Sequence, residues 1–298
     1  MQKLSCVVPA YNEEESLPFL WEKLKPVLES LGSPWELIIV DDGSTDRTAK
    51  VAEDLHRQDE RVRLVHFSAN RGKSYVLMAG FRAATGDIVV TLDADLQDDP
   101  NEIPHLLKEM ESAPADMVGG WKKERHDPFV KLVSSKVFNG IANRMMRTKF
   151  HDLNCGLKAY RKEVVDSLNL YGDLYRFIPL LAVANGFRVT EIPVVHHPRE
   201  HGISKYGLRL NGAFDLISLL MITRYRFRPL HFFGRWGVLS MLVGLGMLLY
   251  LTIQHFMGTP IGDRPLLIFA ILFVLTGLQM IFTGLLADLV INNRQSRS

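Results

Sequence analysis

Two carboxylates separated by one residue, Asp93 and Asp95, end a β-like run at residues 87–92, and Gln97 follows them. In an extended segment, alternate side chains point to the same side, so the two carboxylates could share one hard divalent cation. Mg²⁺ or Mn²⁺ held by one or two carboxylates usually completes its coordination shell with water and substrate phosphates. The pattern therefore predicts metal-assisted chemistry on a phosphorylated substrate, and a polar turn after a strand is the alternative.

Polar side chains also follow two earlier β-like runs. Residues 11–13 (Tyr-Asn-Glu) come after the run at 4–9, and Asp41 and Asp42 follow the run at 35–40. If these runs are neighbouring parallel strands, their carboxyl ends meet at one edge of a sheet. Ligands bind at that edge in open α/β sheets, so the three polar clusters are expected to form one site.

An alternation of β-like and helical periodicity surrounds these positions. The expected strands are residues 4–9, 35–40, 63–67, 87–92 and 116–120. The expected helices are residues 14–31, 44–58 with Ser44 or Thr45 as the cap, 73–84 and 101–111. This alternation predicts an α/β fold with a mainly parallel, doubly wound sheet.

After residue 120 the pattern is less regular. We expect a basic amphipathic helix at 128–147, strands at 155–160 and 187–195, and a helix at 173–184. Residues 209–225 place apolar side chains on one helical face, which predicts an interfacial amphipathic helix lying on a membrane. An ordinary core helix is the alternative for that segment.

Two long apolar runs follow this segment. Trp236–Ile253 contains 18 uncharged residues and Leu266–Ala287 contains 22, and a spanning helix needs about 20. The short link between them predicts a two-helix transmembrane hairpin, with a buried helical pair of a soluble protein as the alternative. Arginines flank the outer ends of the hairpin, at positions 224, 226, 228, 235, 294 and 297. The positive-inside rule therefore predicts that both outer ends are cytoplasmic.

Composition narrows the class of protein further. The formal net charge of +2 provides no global field that would attract nucleic acid. The two cysteines, Cys6 and Cys155, lack metal-ligand spacing and indicate a reducing compartment. We expect no signal peptide, because the first apolar run is short and leads directly into acidic residues.

Five sequence segments, taken in order, resemble those of a known family. They are VPAYNEE at 8–14, VDDGSTD at 40–46, DADLQ at 93–97, DLNCGLKAY at 152–160 and REHGISKY at 199–206. Together they resemble family 2 glycosyltransferases with a GT-A fold, and within that family the polyprenyl-phosphate group that includes dolichol-phosphate mannose synthase. The two-helix tail is also similar to that of bacterial members. The Gln-x-x-Arg-Trp motif of processive synthases is absent, which favours a single transfer per acceptor.

This resemblance implies an inverting transfer of a sugar from a nucleotide-sugar donor to a polyprenyl phosphate at the cytoplasmic membrane face. A UDP-sugar is favoured as the donor and GDP-mannose comes next. The implied binding residues for the base and ribose are Pro9, Tyr11, Glu13 and Asp42. The implied metal and diphosphate site consists of Asp93, Asp95 and Gln97 with Mg²⁺ or Mn²⁺, and Lys205 with His201 would close over the diphosphate.

The acceptor phosphate is already anionic, so it needs cationic positioning instead of a strong general base. Lys122 and Lys136 are the candidates for that role, with Lys131 or Arg125 as alternatives. Asp152 lies in the segment that the family places near the donor sugar, where it could orient the sugar or the acceptor.

The resulting domain prediction has four parts. Residues 1–208 form a cytoplasmic catalytic domain, 209–230 a juxtamembrane helix, 231–291 two transmembrane helices, and 292–298 a cytoplasmic tail. The expected location is a bacterial inner membrane, and homo-oligomerisation stays open.

Three other functions remain as alternatives. A transferase of the same fold could use a glycan, a protein or a diacylglycerol as acceptor. A non-catalytic nucleotide-sugar-binding membrane scaffold would be expected to lack an acidic or phosphate-binding position, and the main ones are present. A dinucleotide-dependent dehydrogenase is disfavoured because no G-x-G-x-x-G follows the first strand.

Overall fold

The computed structural model describes residues 2–123, 140–146, 148–198, 212–223, 225, 228–258, 260–262 and 264–295. The chain divides into two compact units, Met1–Leu216 and Ile217–Ser298. Each unit has its own architecture, an α/β sheet domain in the first and a pair of long helices in the second.

The first unit contains one seven-stranded sheet. Its strands are β1 Leu4–Ala10, β2 Trp35–Asp41, β3 Val62–His66, β4 Ile88–Thr91, β5 Met117–Lys122, β6 Lys158–Arg161 and β7 Val189–Val194. The spatial order is β3-β2-β1-β4-β6-β5-β7. Only β6 is antiparallel to its neighbours β4 and β5, and every other described pairing is parallel. The mainly parallel sheet predicted from the sequence is confirmed, and its antiparallel member is an addition that the alternation did not predict.

Helices cover the sheet and follow the predicted order. They are α1 Ser16–Ser30, α2 Thr48–Gln58, α3 Lys73–Ala83, α4 Ile103–Ser112, α5 Lys162–Ser167 and α6 Ile178–Ala184. In α1 the buried residues Leu17, Leu20, Leu24 and Leu28 recur every three or four positions, so one face packs into the core. All seven residues of β2 are buried, which is typical of a parallel strand covered on both faces.

One predicted boundary is wrong. We expected Ser44 or Thr45 to cap the second helix, but α2 begins at Thr48. The reason is that the Oδ1 atom of Asp46 accepts the backbone N–H of Thr48 at 2.9 Å, while the Ser44 hydroxyl donates to Asp41 instead. The Asp46 side chain therefore organises the entry into the helix.

Two predicted helices lie partly outside the described residues. Of the basic helix expected at 128–147, the structure describes residues 140–146, and these are helical. The segment expected to lie on the membrane contains α7, Gly212–Thr223. Its helical conformation is confirmed, and its interfacial location remains a prediction.

The second unit is dominated by α8 (Pro229–Phe256) and α9 (Pro265–Gln295), both long and apolar enough to cross a membrane. Most large apolar side chains of this pair are exposed, for example Leu249 and Leu286 at 63% each. An exposed apolar surface of this kind suits lipid contact instead of water. The two helices fit the predicted transmembrane hairpin.

Small residues hold these helices together. Gly237 and Gly244 on α8 are seven residues apart, as are Ala270 and Gly277 on α9. A Cβ atom added to Gly237 would lie 2.7 Å from the carbonyl oxygen of Gly277. The Ser240 hydroxyl donates to the carbonyl oxygen of Phe273 at 2.7 Å across the pair. Close backbone approach through small residues is a usual packing mode of transmembrane helices.

This packing predicts opposite effects of one substitution at two positions of α8. Gly237→Ala should lower the stability of the hairpin by about 1–3 kcal/mol, because its methyl group would overlap the facing backbone. Gly246→Ala should leave stability unchanged or raise it, since no atom lies within 4 Å of its added Cβ and alanine favours the helix. Unfolding of both variants in detergent tests the packing, and equal midpoints would contradict it.

Candidate active site

The loops after β1 and β2 are joined by side-chain-to-backbone hydrogen bonds. The backbone N–H of Asn12 donates to the Ser44 hydroxyl, and the Asn12 side-chain oxygen accepts the N–H of Thr45, each at 2.8 Å. The N–H of Glu13 donates to the Thr48 hydroxyl, also at 2.8 Å. Asn12 adopts a φ of 52°, a left-handed conformation that asparagine tolerates better than most residues. These bonds fix the two loops against each other at the carboxyl edge of the sheet.

Asp42 binds the backbone of the loop that precedes α3. Its two carboxylate oxygens accept the backbone N–H groups of Arg71 at 2.6 Å and Gly72 at 3.0 Å. Burial of the side chain raises the pKa of this carboxyl, because a charged group loses solvation. The carboxylate thus holds the loop at residues 71–72 in place, and its contact with a ribose remains a prediction.

The other predicted donor-binding residues lie at the same edge. Pro9 and Tyr11 are half-buried at the end of β1. Glu13 accepts the hydroxyl of Ser16, the first residue of α1, at 2.6 Å. The structure therefore brings together Pro9 at the end of β1, Tyr11 and Glu13 in the loop after it, and Asp42 in the loop after β2.

The acidic pair after β4 lies in a turn. The strand ends at Thr91 and a turn occupies positions 94–95, while Leu96 has a φ of 62°. The argument that alternation in an extended segment aligns Asp93 and Asp95 is therefore wrong. Both residues still lie directly beyond the carboxyl end of β4, because the turn keeps the chain at that edge.

Each member of the acidic segment has a defined contact. The Lys73 ammonium lies 2.6 Å from Oδ1 of Asp93. Oδ1 of Asp95 accepts the N–H of Gln97 at 3.3 Å. Gln97 is tied to the segment after β7, since its carbonyl oxygen accepts the N–H of His197 at 2.8 Å. Sequence reasoning missed Lys73, whose only signal was a lysine directly after a glycine at a helix start.

The oxygen atoms available at the acidic turn suit a metal ion that also binds the substrate. Among the described residues, no group of three or more His, Cys, Asp or Glu side chains is arranged to hold a metal ion. Asp93 and Asp95 nevertheless offer carboxylate oxygens, the ligand type that Mg²⁺ and Mn²⁺ prefer. Two carboxylates fit a cation whose remaining ligands come from water and phosphate.

A loop before β6 closes this site from the other side. A Cβ atom placed on Gly156 would lie 2.6 Å from the Asp93 carboxylate and 2.7 Å from Oδ2 of Asp98. Gly156 and Asp93 line a small pocket together with Lys73, Asn154, Lys158 and Tyr175, among other residues. The absence of a side chain at Gly156 thus lets the backbone approach two carboxylates.

Lys158 is a second lysine in this pocket. The side chain is buried and donates to the carbonyl oxygen of Cys155. Burial lowers the pKa of this amine, with a smaller contribution from Lys73 in the same direction.

Asp152 is almost completely buried in the same loop. Its Oδ1 atom accepts the N–H of Asn154 at 3.0 Å. Glu191 on β7 holds the preceding residue, because its two carboxylate oxygens accept the N–H of His151 at 2.8 and 3.0 Å. The predicted site residue Asp152 therefore has a fixed backbone.

Lys122 is the last residue of β5 and points into the domain. Its side chain is only 16% exposed, and its ammonium lies 3.3 Å from Oδ1 of Asp98. Burial lowers the pKa of Lys122, but the nearby negative charges together, of which Asp98 is the largest and Asp93 and Asp152 add to it, outweigh burial, so the net pKa is raised. Sequence reasoning identified Lys122 and missed its partner Asp98.

Several candidate residues lie outside the described part of the chain. They are Lys136, Lys131, Arg125, His201 and Lys205.

The close approach at Gly156 predicts a selective effect of added volume. Gly156→Ala should destabilise the first unit by about 1–3 kcal/mol, because a methyl group there would overlap the Asp93 and Asp98 carboxylates. Gly119→Ala on β5 is the matched control, since its Cβ would meet only a carbonyl oxygen at 3.9 Å. Urea unfolding followed by circular dichroism measures both, and an equal loss of stability would contradict the predicted crowding.

Comparison with known proteins agrees with this geometry. Residues 5–168 match the model of Glycosyl transferase family 2. The chain is 39% identical over 295 residues to a dodecaprenyl-phosphate galacturonate synthase of Rhizobium johnstonii, covering 97% of this chain and 87% of the relative. It is 38% identical over 291 residues to an undecaprenyl-phosphate 4-deoxy-4-formamido-L-arabinose transferase of Pseudomonas fluorescens, covering 97% and 85%.

A solved structure shares the fold. The glucosyl-3-phosphoglycerate synthase from Mycobacterium tuberculosis, crystallised with Mn²⁺, UDP-glucose and phosphoglyceric acid, superposes with a TM-score of 0.57. The match covers 74% of this chain and 79% of that one at 22% identity, so it supports the GT-A architecture alone. Together, the matched family model, the sheet and the acidic turn at its carboxyl edge show that this chain belongs to glycosyl transferase family 2.

Proposed function

We propose that this glycosyltransferase moves a sugar from a nucleotide-sugar donor to a polyprenyl phosphate. One observation carries the proposal. The acidic turn with Asp93 and Asp95 lies at the carboxyl edge of the sheet. The buried ammonium of Lys122 is close to it, because its partner Asp98 and Asp93 both approach Gly156. The relatives named above act on dodecaprenyl or undecaprenyl phosphate, an acceptor that would need such a cation.

On the donor side, the loops after β1 and β2 would bind the nucleoside. Carboxylates only accept hydrogen bonds, which suits ribose hydroxyls or a base N–H. Both oxygens of Asp42 already accept backbone N–H groups, and Glu13 accepts the Ser16 hydroxyl. Asp42 would then act chiefly by holding the loop at residues 71–72 in place.

Asp93, Asp95 and Gln97 would hold Mg²⁺ or Mn²⁺ against the donor diphosphate. When bound, such a cation supplies Lewis-acid stabilisation of the departing nucleoside diphosphate. Lys73 would help to neutralise the negative charge of the diphosphate, since its ammonium lies 2.6 Å from the Asp93 carboxylate. His201 and Lys205 are proposed to complete the phosphate contacts.

On the acceptor side, the main requirement is to overcome repulsion between two anionic substrates. A phosphate monoester is ionised at neutral pH and can attack without a strong base. Lys122, with Lys136, would attract and orient it, which is positioning and electrostatic catalysis. Asp152 would orient the sugar, and in-line attack at the anomeric carbon would invert its configuration.

The second unit would attach the enzyme to the membrane that contains the lipid acceptor. We propose that the hairpin of α8 and α9 spans a bacterial inner membrane, with the catalytic domain at 1–208 and the tail at 292–298 cytoplasmic. Arg228 and Arg235 precede the first apolar run, and juxtamembrane arginines are attracted to anionic lipids. The segment 209–230 would lie at the interface.

The donor and acceptor are tested together by a product assay. We expect that purified full-length protein, incubated with radiolabelled UDP-sugars and undecaprenyl phosphate, transfers label from one of them to an organic-extractable lipid. GDP-mannose serves as the competing donor, and diacylglycerol serves as the competing acceptor. Label in diacylglycerol but not in the lipid phosphate would refute the proposed acceptor, and binding without transfer would favour the scaffold alternative.

The acidic turn predicts dependence on a divalent cation. Turnover should disappear in EDTA and return with excess Mg²⁺ or Mn²⁺. Asp95→Ala should lower kcat by about a hundredfold or more, because the charge on the leaving diphosphate would lose its counter-charge.

The control for this substitution is Asp54→Ala on the exposed face of α2, where Asp54 pairs only with Arg57 at 3.0 Å among its described ion pairs. It should retain wild-type turnover. Full activity of Asp95→Ala, or activity in EDTA, would show that the metal site has been assigned to the wrong residues.

A further inference from the structure

A buried ionic cluster lies directly behind the acidic turn. It consists of Asp98, Lys122 and His196. Asp98 is 1% exposed, and its Oδ1 atom lies 3.3 Å from the Lys122 ammonium and 3.6 Å from Nδ1 of His196. An isolated antiparallel bridge between the backbones of Asp98 and His196 holds the two residues side by side. The cluster therefore joins the segment after β4, the end of β5 and the segment after β7.

This cluster is held by charge more than by aligned hydrogen bonds. Within the described part of the chain, the two carboxylate oxygens of Asp98 have no well-aligned hydrogen-bond partner, and the same is true of the Nδ1 atom of His196. Buried carboxylates are usually satisfied by several N–H donors. The Asp98 carboxylate is therefore held chiefly by the nearby Lys122 ammonium, with the His196 ring on its other side at a longer distance.

Such a cluster is not expected to contribute much to the stability of the fold. A buried ion pair loses much solvation energy, and well-packed apolar residues can often replace it without loss of stability. The location of the cluster suggests a different role. The Lys122 ammonium also interacts electrostatically with the carboxylates of Asp93 and Asp152, so without Asp98 those two carboxylates would compete for it.

We propose that Asp98, supported by His196, is a positioning residue that directs the Lys122 ammonium toward the phosphate of the acceptor. The inference rests on the proposed function, in which Lys122 binds the acceptor phosphate. Asp98 itself touches neither substrate. It holds Lys122 away from Asp93 and Asp152. The cation that binds the acceptor phosphate is thereby kept apart from the carboxylates that lie near the donor.

The test compares Asp98→Asn with Asp99→Asn in the full-length protein. Asp98→Asn should raise the KM for undecaprenyl phosphate by about tenfold or more while the donor KM changes less than about twofold, because only the acceptor loses its cation. Asp99 lies one residue further on, pairs with His197 at 3.2 Å and caps the turn at Pro100–Glu102. Its asparagine variant keeps the cap, so both KM values should stay within about twofold of wild type.

A double variant keeps the test decisive if Asp98→Asn folds poorly. Asp98→Asn combined with Lys122→Met removes both charges, so we expect the thermal unfolding midpoint to recover toward wild type. The acceptor KM should stay raised, because the cation is missing. Recovery of the acceptor KM together with stability would show that the pair is only structural and would overturn the inference, as would an unchanged acceptor KM in Asp98→Asn.

The same assay separates this inference from the proposed function. If the wild-type protein transfers no sugar to undecaprenyl phosphate, the proposed function fails and the inference falls with it. If the wild type makes the glycolipid and Asp98→Asn matches its acceptor KM, only the inference fails.

Discussion

The close approach of the Gly156 backbone to the carboxylates of Asp93 and Asp98 is the constraint on which the site depends. Two like charges can lie against one glycine only because each has its own cation, Lys73 for Asp93 and Lys122 for Asp98. Unpaired buried charges would cost far more free energy than packing could return. Both carboxylates lie next to the space that a Gly156 side chain would fill, so two ion pairs meet at this glycine.

In the proposed function, these two ion pairs would have different electrostatic tasks. The first ion pair lies on the side where a divalent cation and a diphosphate would bind, and the second lies deeper, between the ends of β5 and β7. A transfer between two phosphorylated substrates must overcome the repulsion between their negative charges, and separate cations for donor and acceptor would do so.

Much of the fold followed from the sequence. The strands ending near Ala10, Asp41 and Thr91 were predicted to within a few residues, and both long apolar helices were predicted at the right places, although each extends beyond its apolar run. Side-chain periodicity and run length are local properties. The start of α2 was misplaced, since the Asp46 side chain competes with Ser44 for the helix entry. The antiparallel β6 was also missed, because a strand's direction depends on where a distant segment returns to the sheet.

The sequence by itself determined the carboxylates at the strand ends, the family motifs and the transmembrane hairpin. Only the tertiary structure decided which charges meet. The pairings of Lys73 with Asp93 and of Lys122 with Asp98 join residues on different elements, and the turn at 94–95 replaces the extended geometry that alternation had implied. Such contacts depend on the order of strands in the sheet and on burial, and neither is encoded in the spacing of residues along the chain.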